Sequence, residues 1–246
     1  MIVDAEWAKP FARTAGLSRG QSKATTGFGA RQEGVSSSAA SMRPCFSAPP
    51  LAVHESARQL DAAVSAHLVG QHLVAADLIR AADRPEILAW ADTMWGTGGP
   101  WSGPRSTPDI PVANRLKPRM PGTAAKLAII RRDGFTCRFC GAPVILPDAR
   151  KALMRHYPEA ARWGLTNASR HTALQVLELQ WDHVLPHARG GSSDPSNVLV
   201  TCAPCNYGRG NLTCEEVGLS DPWLRPPVKS DWDGLSRLLK QAVGNV

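Results

Sequence analysis

Apolar residues fall into clear patterns only after the first fifty positions of this 246-residue chain. Residues 1–50 are rich in Ser, Gly, Ala and Arg and show no sustained period. They offer too little apolar surface to offset the entropy of ordering and are expected to be disordered. Met42 is an alternative start. From 54 to 95 the period becomes helical. Leu60, Val64 and Leu68 recur every four positions, and Val74, Leu78 and Ile79 extend an apolar stripe beyond Gly70,. Asp83 followed by Glu86 predicts a capping box that opens a helix through Trp95, and the glycine-rich run ending at Pro100 closes it,. His54, His67 and His72 lack a partnered spacing and are expected as surface or half-buried helix residues. A helical region over 51–98 follows.

Residues 99–122 hold six prolines (100, 104, 108, 111, 118 and 121), which predicts an extended linker or an arm draped over a surface,. Arg115, Lys117 and Arg119 near its end either touch phosphate or belong to an ordinary solvated linker. From Thr123 the pattern tightens. A short helix over 124–132 ends at Asp133-Gly134, where the glycine suits a left-handed turn,. Residues 143–177 read as mostly helical, with breaks at Pro147, Pro158 and Gly164. Leu177, Leu179 and Trp181 alternate with Glu178, Gln180 and Asp182, a strand signature,. A loop over 186–195, a second strand over 198–201 and a short helix containing Asn206 and Arg209 complete a ββα unit. Beyond Cys214 the chain is rich in loops, then helical from Trp232 to about Val243.

Charge sharpens this outline. Residues 1–100 carry 9 basic and 9 acidic side chains, whereas 101–246 carry 19 against 12 and so hold the whole net charge of +7. The basic excess points to a polyanionic partner; a solvated basic surface is the plainer reading. No apolar run reaches the roughly 20 residues of a membrane helix, so no membrane role is expected. The N-terminus has no apolar core of a secretory signal, and Asp4, Glu6 and Glu33 argue against a transit peptide,. A cytoplasmic location is therefore expected.

Four of the six cysteines form two C-x2-C pairs, Cys137/Cys140 and Cys202/Cys205, with 61 residues between them. Each pair sets two thiolates on a tight turn, and two such turns make a tetrahedral zinc site. Four protein ligands leave no open position, so this zinc is structural. The insertion 141–176 is expected to loop out between the turns. Arg150, Lys151 and Arg155 on it predict either a basic face or a solvated one.

The densest chemistry lies at Asp182-His183-Val184-Leu185-Pro186, followed by Gly190-Gly191, Asn197 and Asn206. A neutral imidazole is a suitable base near neutral pH. The oxygens of Asp182 and Asn206 suit Mg2+. Arg189 beside the glycine pair is a candidate phosphate contact, and His187 either assists or is a bystander. These parts fit hydrolysis of a phosphodiester.

The run D-H-V-L-P-x3-G-G, then N-V, then C-x2-C-N-x2-R-G resembles the HNH endonucleases, members of the ββα-metal nucleases, in their zinc-knuckle-containing bacterial form. The resemblance spans roughly 134–212 and is most specific over 181–210. It implies an α+β fold: a small zinc-stapled ββα-metal core over 123–220, a helical insertion, a mostly helical N-terminal region and a helical tail over 221–246. It implies that His183 activates water, that Asp182 and Asn206 hold Mg2+ or Mn2+, that Asn197 orients the loop carrying His183, and that Arg209 contacts phosphate. Cys137, Cys140, Cys202 and Cys205 would hold Zn2+ as scaffold. The implied partner is nucleic acid, with DNA the expected form, cut to a 5′-phosphate and a 3′-hydroxyl. A zinc-knuckle module that binds nucleic acid without cutting it, and a protein-interaction role for the helical region, remain as alternatives.

Overall fold

A computed structural model of the chain describes residues 42–95 and 108–240. Of the disorder expected over 1–50, the part up to residue 41 lies outside the described residues, as do 96–98 of the expected helical region, 99–107 of the proline-rich segment and the tail beyond 240; over 42–50, in contrast, Phe46 is buried and Arg43 N–H donates to the Gly218 carbonyl at 3.1 Å. Helices α1 (Leu51–Leu68), α2 (His72–Ala81) and α3 (Pro85–Trp95) come first, then α4 (Thr123–Asp133), α5 (Pro147–His156) and α6 (Thr172–Val176). Strand β1 (Leu179–His183) and strand β2 (Val198–Cys202) form an antiparallel hairpin, followed by α7 (Ala203–Arg209) and the short α8 (Arg237–Lys240). The fold is α+β, and its two-stranded sheet packs against α4 and α7. Among the described residues no helix is long and apolar enough to cross a membrane.

Helix α1 turns Val53, Ala57, Leu60, Ala63 and Val64 inward, a stripe at three- and four-residue spacing,. The apolar stripe of α2 runs through Ala75 and Ile79, while Val74 is exposed. Asp83 does not act as the expected cap of α3. Its carboxylate accepts the backbone N–H of Thr172 at 2.8 Å, at the start of α6, and pairs with Arg162. It therefore ties the helical N-terminal region to the segment that leads into the sheet. Tyr157 makes a second tie: its hydroxyl meets His67 Nδ1 at 2.7 Å and His72 Nδ1 at 3.2 Å.

The insertion does not loop out. Val144, Ile145, Ala149, Leu153, Leu174 and Val176 join the same buried cluster as α1, α3 and the hairpin. Arg150 points into that cluster, where it pairs with Glu178 at 3.1 Å and lies 4.1 Å from the centre of the Trp163 ring. No basic face of Arg150, Lys151 and Arg155 forms, because the helix turns Arg150 inward. The strand stays paired through α4: buried Asp133 accepts the Val200 N–H at 3.1 Å, and Arg132 donates to the Val198 carbonyl at 2.7 Å.

Candidate active site and metal centre

The hairpin register places Leu179 opposite Cys202 at one end and His183 opposite Val198 at the other. Helix α7 starts at the cysteine end and finishes at the histidine end, so a single short helix links the two.

At the first end, the sulfurs of Cys137, Cys140, Cys202 and Cys205 all lie within 4.8 Å of one another, and Cys140 Sγ is 3.7 Å from Cys202 Sγ. A tetrahedral zinc with metal–sulfur bonds of ~2.3 Å would set its sulfurs ~3.8 Å apart. All four thiols are free of disulfides and only Cys140 is more than marginally exposed. Burial raises the Cys137 thiol, but contacts with the other three sulfurs outweigh it and hold Cys137 well below the usual range. Burial and the contacts with Cys137 and Cys140 push Cys202 well above it, against an opposing contact with Cys205. Four soft donors converge around a point that calls for a cation, and they fit zinc. The first turn is fastened to the sheet where Arg138 N–H donates to the Val200 carbonyl at 2.9 Å.

At the other end, Asp182 and His183 are neighbours on a strand, and successive strand residues leave opposite faces. Asp182 turns toward α7. Its carboxylate is buried and held by the Arg209 guanidinium, with Nε 3.2 Å from Oδ2 and Nη2 on Oδ1. Burial raises the Asp182 carboxyl, and the Arg209 charge only partly opposes this. Arg209 also donates to the Leu212 carbonyl at 2.7 Å and to the His183 carbonyl. Its side chain is 0 % exposed. Arg209 thus sits behind the strand and not on a face that a phosphate reaches. The side-chain amide of half-buried Asn206 makes no hydrogen bond among the described residues.

His183 turns the other way, toward the loop that follows it, and is 7 % exposed. Its Nε2 lies 3.1 Å from Ser193 Oγ, which gives its single proton to the Pro118 carbonyl at 2.8 Å. Ser193 therefore meets the imidazole with a lone pair, so Nε2 carries the ring proton and Nδ1 is the basic nitrogen. Burial, then the charges of His187, Arg209 and Arg119, lower the imidazole to about 4, against an opposing hydrogen bond to the Arg119 backbone. The ring is neutral at physiological pH.

The loop over 184–197 is pinned by Asn197. Its Oδ1 accepts from Leu185 N–H at 2.9 Å, and its Nδ2 donates to the Leu185 carbonyl at 3.1 Å and the Ser192 carbonyl at 2.8 Å. Gly191 makes this closure possible, since a Cβ there would stand 1.8 Å from the Leu185 carbonyl oxygen. Gly190 adopts φ 93°, a left-handed conformation that favours glycine,. Arg189 does not face outward as the glycine pair suggests. Its side chain is 2 % exposed and pairs with Asp109 at 3.1 Å and Glu216 at 3.2 Å. His187 Nε2 donates to the Leu116 carbonyl, 2.6 Å away, with its ring 5.6 Å from that of His183.

Ser193 is not among the site residues that the sequence singles out, although a hydroxyl just past a glycine pair that follows Asp-His is a readable signal. The stretch over 108–119 reads in sequence only as a linker or arm, and nothing in its residues places it against His183.

The model of a family described as HNH endonuclease matches residues 173–218, a span that includes β1, the glycine loop, β2 and α7. No curated protein and no solved structure matches this chain. Residues 173–218 are thus similar to the HNH endonucleases, and the hairpin, α7 and the cysteine pair Cys202/Cys205 lie within that span.

Proposed function

We propose that this protein is a metal-dependent endonuclease that hydrolyses phosphodiester bonds in nucleic acid, with DNA as the substrate form. The observation that carries the reading is His183: a buried, neutral imidazole held by Ser193 at the end of β1, inside the segment that matches the nuclease family.

His183 Nδ1 takes a proton from water as the water oxygen bonds to phosphorus. The bond from phosphorus to the 3′ oxygen breaks, and that oxygen is protonated from solvent. The products are a 5′-phosphate and a 3′-hydroxyl. Ser193 fixes the imidazole through Nε2, and Asn197 keeps the loop from drifting by holding Leu185 and Ser192. This division of roles relies on positioning, where a small displacement of the base lowers the rate sharply. Asp182 and Asn206 supply hard oxygen donors that fit Mg2+ or Mn2+ in kind, and such an ion would neutralise charge on the departing oxygen. Arg209 holds both Asp182 oxygens and positions the carboxylate, so an ion held there would have to displace it. Zn2+ held by the four cysteines would staple the hairpin and, with four protein ligands, would leave no open position for chemistry,. Without a disulfide framework, the cysteine usage suits a reducing compartment such as the cytoplasm.

Purified full-length protein incubated with supercoiled plasmid and Mg2+ or Mn2+ tests this. The wild-type protein is expected to nick and linearise the plasmid. His183→Ala is expected to lose the activity while keeping its zinc content and melting temperature; wild-type cleavage by that variant would remove His183 from the role of base.

One observation favours a second reading. The Arg209 guanidinium already neutralises Asp182, as it would in a zinc-knuckle module that binds nucleic acid without cutting it. Salt-sensitive binding with no cleavage under any divalent ion would select that reading.

A further inference from the structure

Two of the arginines that the sequence offers for phosphate contact, Arg189 and Arg209, are turned inward. Arg209 is locked on Asp182 and Arg189 on Asp109 and Glu216. A nuclease centre still needs cations that meet the substrate backbone, because phosphate contacts provide most of the affinity for nucleic acid.

The arm over 108–119 brings such cations to the site. Its path along the loop after β1 is fixed at several independent points. Ile110 N–H donates to the Ala188 carbonyl at 2.7 Å. Asp109 meets Arg189 at 3.1 Å and accepts from Asn211 Nδ2 at 3.1 Å. The Leu116 carbonyl lies 2.6 Å from His187 Nε2, and the Pro118 carbonyl accepts from Ser193 Oγ at 2.8 Å. Arg115 Nε closes the intervening turn on the Ile110 carbonyl at 2.8 Å. The arm is thus held by its backbone, and two side chains at its end are left outward. Lys117 and Arg119 are exposed, and among the described residues neither makes an ion pair. The Pro118 carbonyl sits on Ser193 Oγ, which is itself 3.1 Å from His183 Nε2, so Arg119 directly follows the residue that closes on the His183 contact.

We infer that the arm is a wall of the substrate groove, and that Arg119 with Lys117 grips the phosphate backbone of the nucleic acid beside His183. The inference rests on the nuclease reading for its substrate, but its test does not depend on cleavage. The contacts of the arm also give roles to two residues of the glycine loop. His187 holds the arm in place, and Arg189 anchors it through Asp109.

The test uses the full chain and a fluorescein-labelled DNA duplex, with affinity read by anisotropy over a salt series and cleavage followed in parallel. The Lys117→Ala/Arg119→Ala double variant is expected to bind at least about tenfold more weakly at moderate salt. Its plot of log affinity against log salt should be shallower by about 0.9 for each phosphate that is no longer neutralised. Arg119→Lys should keep the wild-type slope, which separates charge from any disturbance of the arm. Zinc content and melting temperature should not change, because both side chains are exposed. Wild-type affinity and slope in the double variant would overturn the inference. If the wild-type protein cleaves and the double variant matches it in every respect, the arm is refuted and the nuclease reading stands. If the wild-type protein binds but never cleaves and the double variant loses binding, the grip stands and the nuclease reading falls. If the wild-type protein neither binds nor cleaves, both fall.

Discussion

At one end of the β1–β2 hairpin, Cys202 and Cys205 meet Cys137 and Cys140 in a closed, almost dry cluster. At the other end, His183 meets Ser193 and a proline-rich arm that belongs to neither strand. The cysteine end is complete within two tight turns. The histidine end is assembled from the strand, the glycine loop and the arm, with α7 behind it. The difference teaches which part of the molecule carries stability and which carries specificity. A closed four-ligand site couples metal binding to folding, whereas an assembled site can change its walls without changing its base.

The largest effect expected from this contrast comes from breaking the cysteine end. Zinc held by four thiolates is worth roughly 10–16 kcal/mol in small zinc domains, more than the ~5–15 kcal/mol net stability of a typical fold. Cys202→Ser is therefore expected to lose zinc and cooperative thermal unfolding together, as measured by metal analysis and circular dichroism. A variant that keeps its wild-type melt without zinc would show that the cluster is not the staple.

A smaller effect is expected behind the histidine. Arg209→Ala leaves the buried Asp182 carboxylate without its partner, and breaking a buried ion pair typically costs about 3–5 kcal/mol,. Denaturant titration should show that loss, with zinc retained. A change within experimental error would mean that Arg209 is mobile and free to meet substrate after all.

The smallest effect is one of pH. With the imidazole lowered to about 4, mainly by burial, the neutral base is present across pH 5–7.5 and is lost only as pH falls through about 4. Cleavage at saturating metal should stay nearly flat over that range. An unshifted histidine near 6.5 would instead cost roughly thirtyfold at pH 5. A steep acid limb centred near 6.5 would show that His183 is solvated in the working state.

Much of the hairpin is legible in the sequence because its signals are local. The C-x2-C pairs, the alternation from Leu177 to Asp182 and the glycine pair each lie within a few residues, and the structure places two turns, a strand and a tight loop there. The cationic side chains are harder to read. Arg150, Arg189 and Arg209 look like surface contacts in sequence, but each is buried against an acid distant along the chain: Glu178, Asp109 and Asp182. Nothing in local periodicity announces such pairing. Likewise Asp83 carries the sequence of a helix cap, yet it serves Thr172 because α6 packs close to its turn. The arm is the least legible element. Its prolines predict an extended path, but only the bonds to Ala188, His187 and Ser193 reveal where that path runs.

A graded chelation series tests the separation of the two ends most directly, with cleavage, zinc content and circular dichroism followed on the same sample. Two steps are expected. Mild EDTA should abolish cleavage while zinc and fold remain, with Mg2+ or Mn2+ restoring activity, and harsher treatment should then strip zinc and unfold the core. Loss of cleavage, zinc and fold in one step, or rescue of the mildly treated protein by Zn2+ alone, would contradict it.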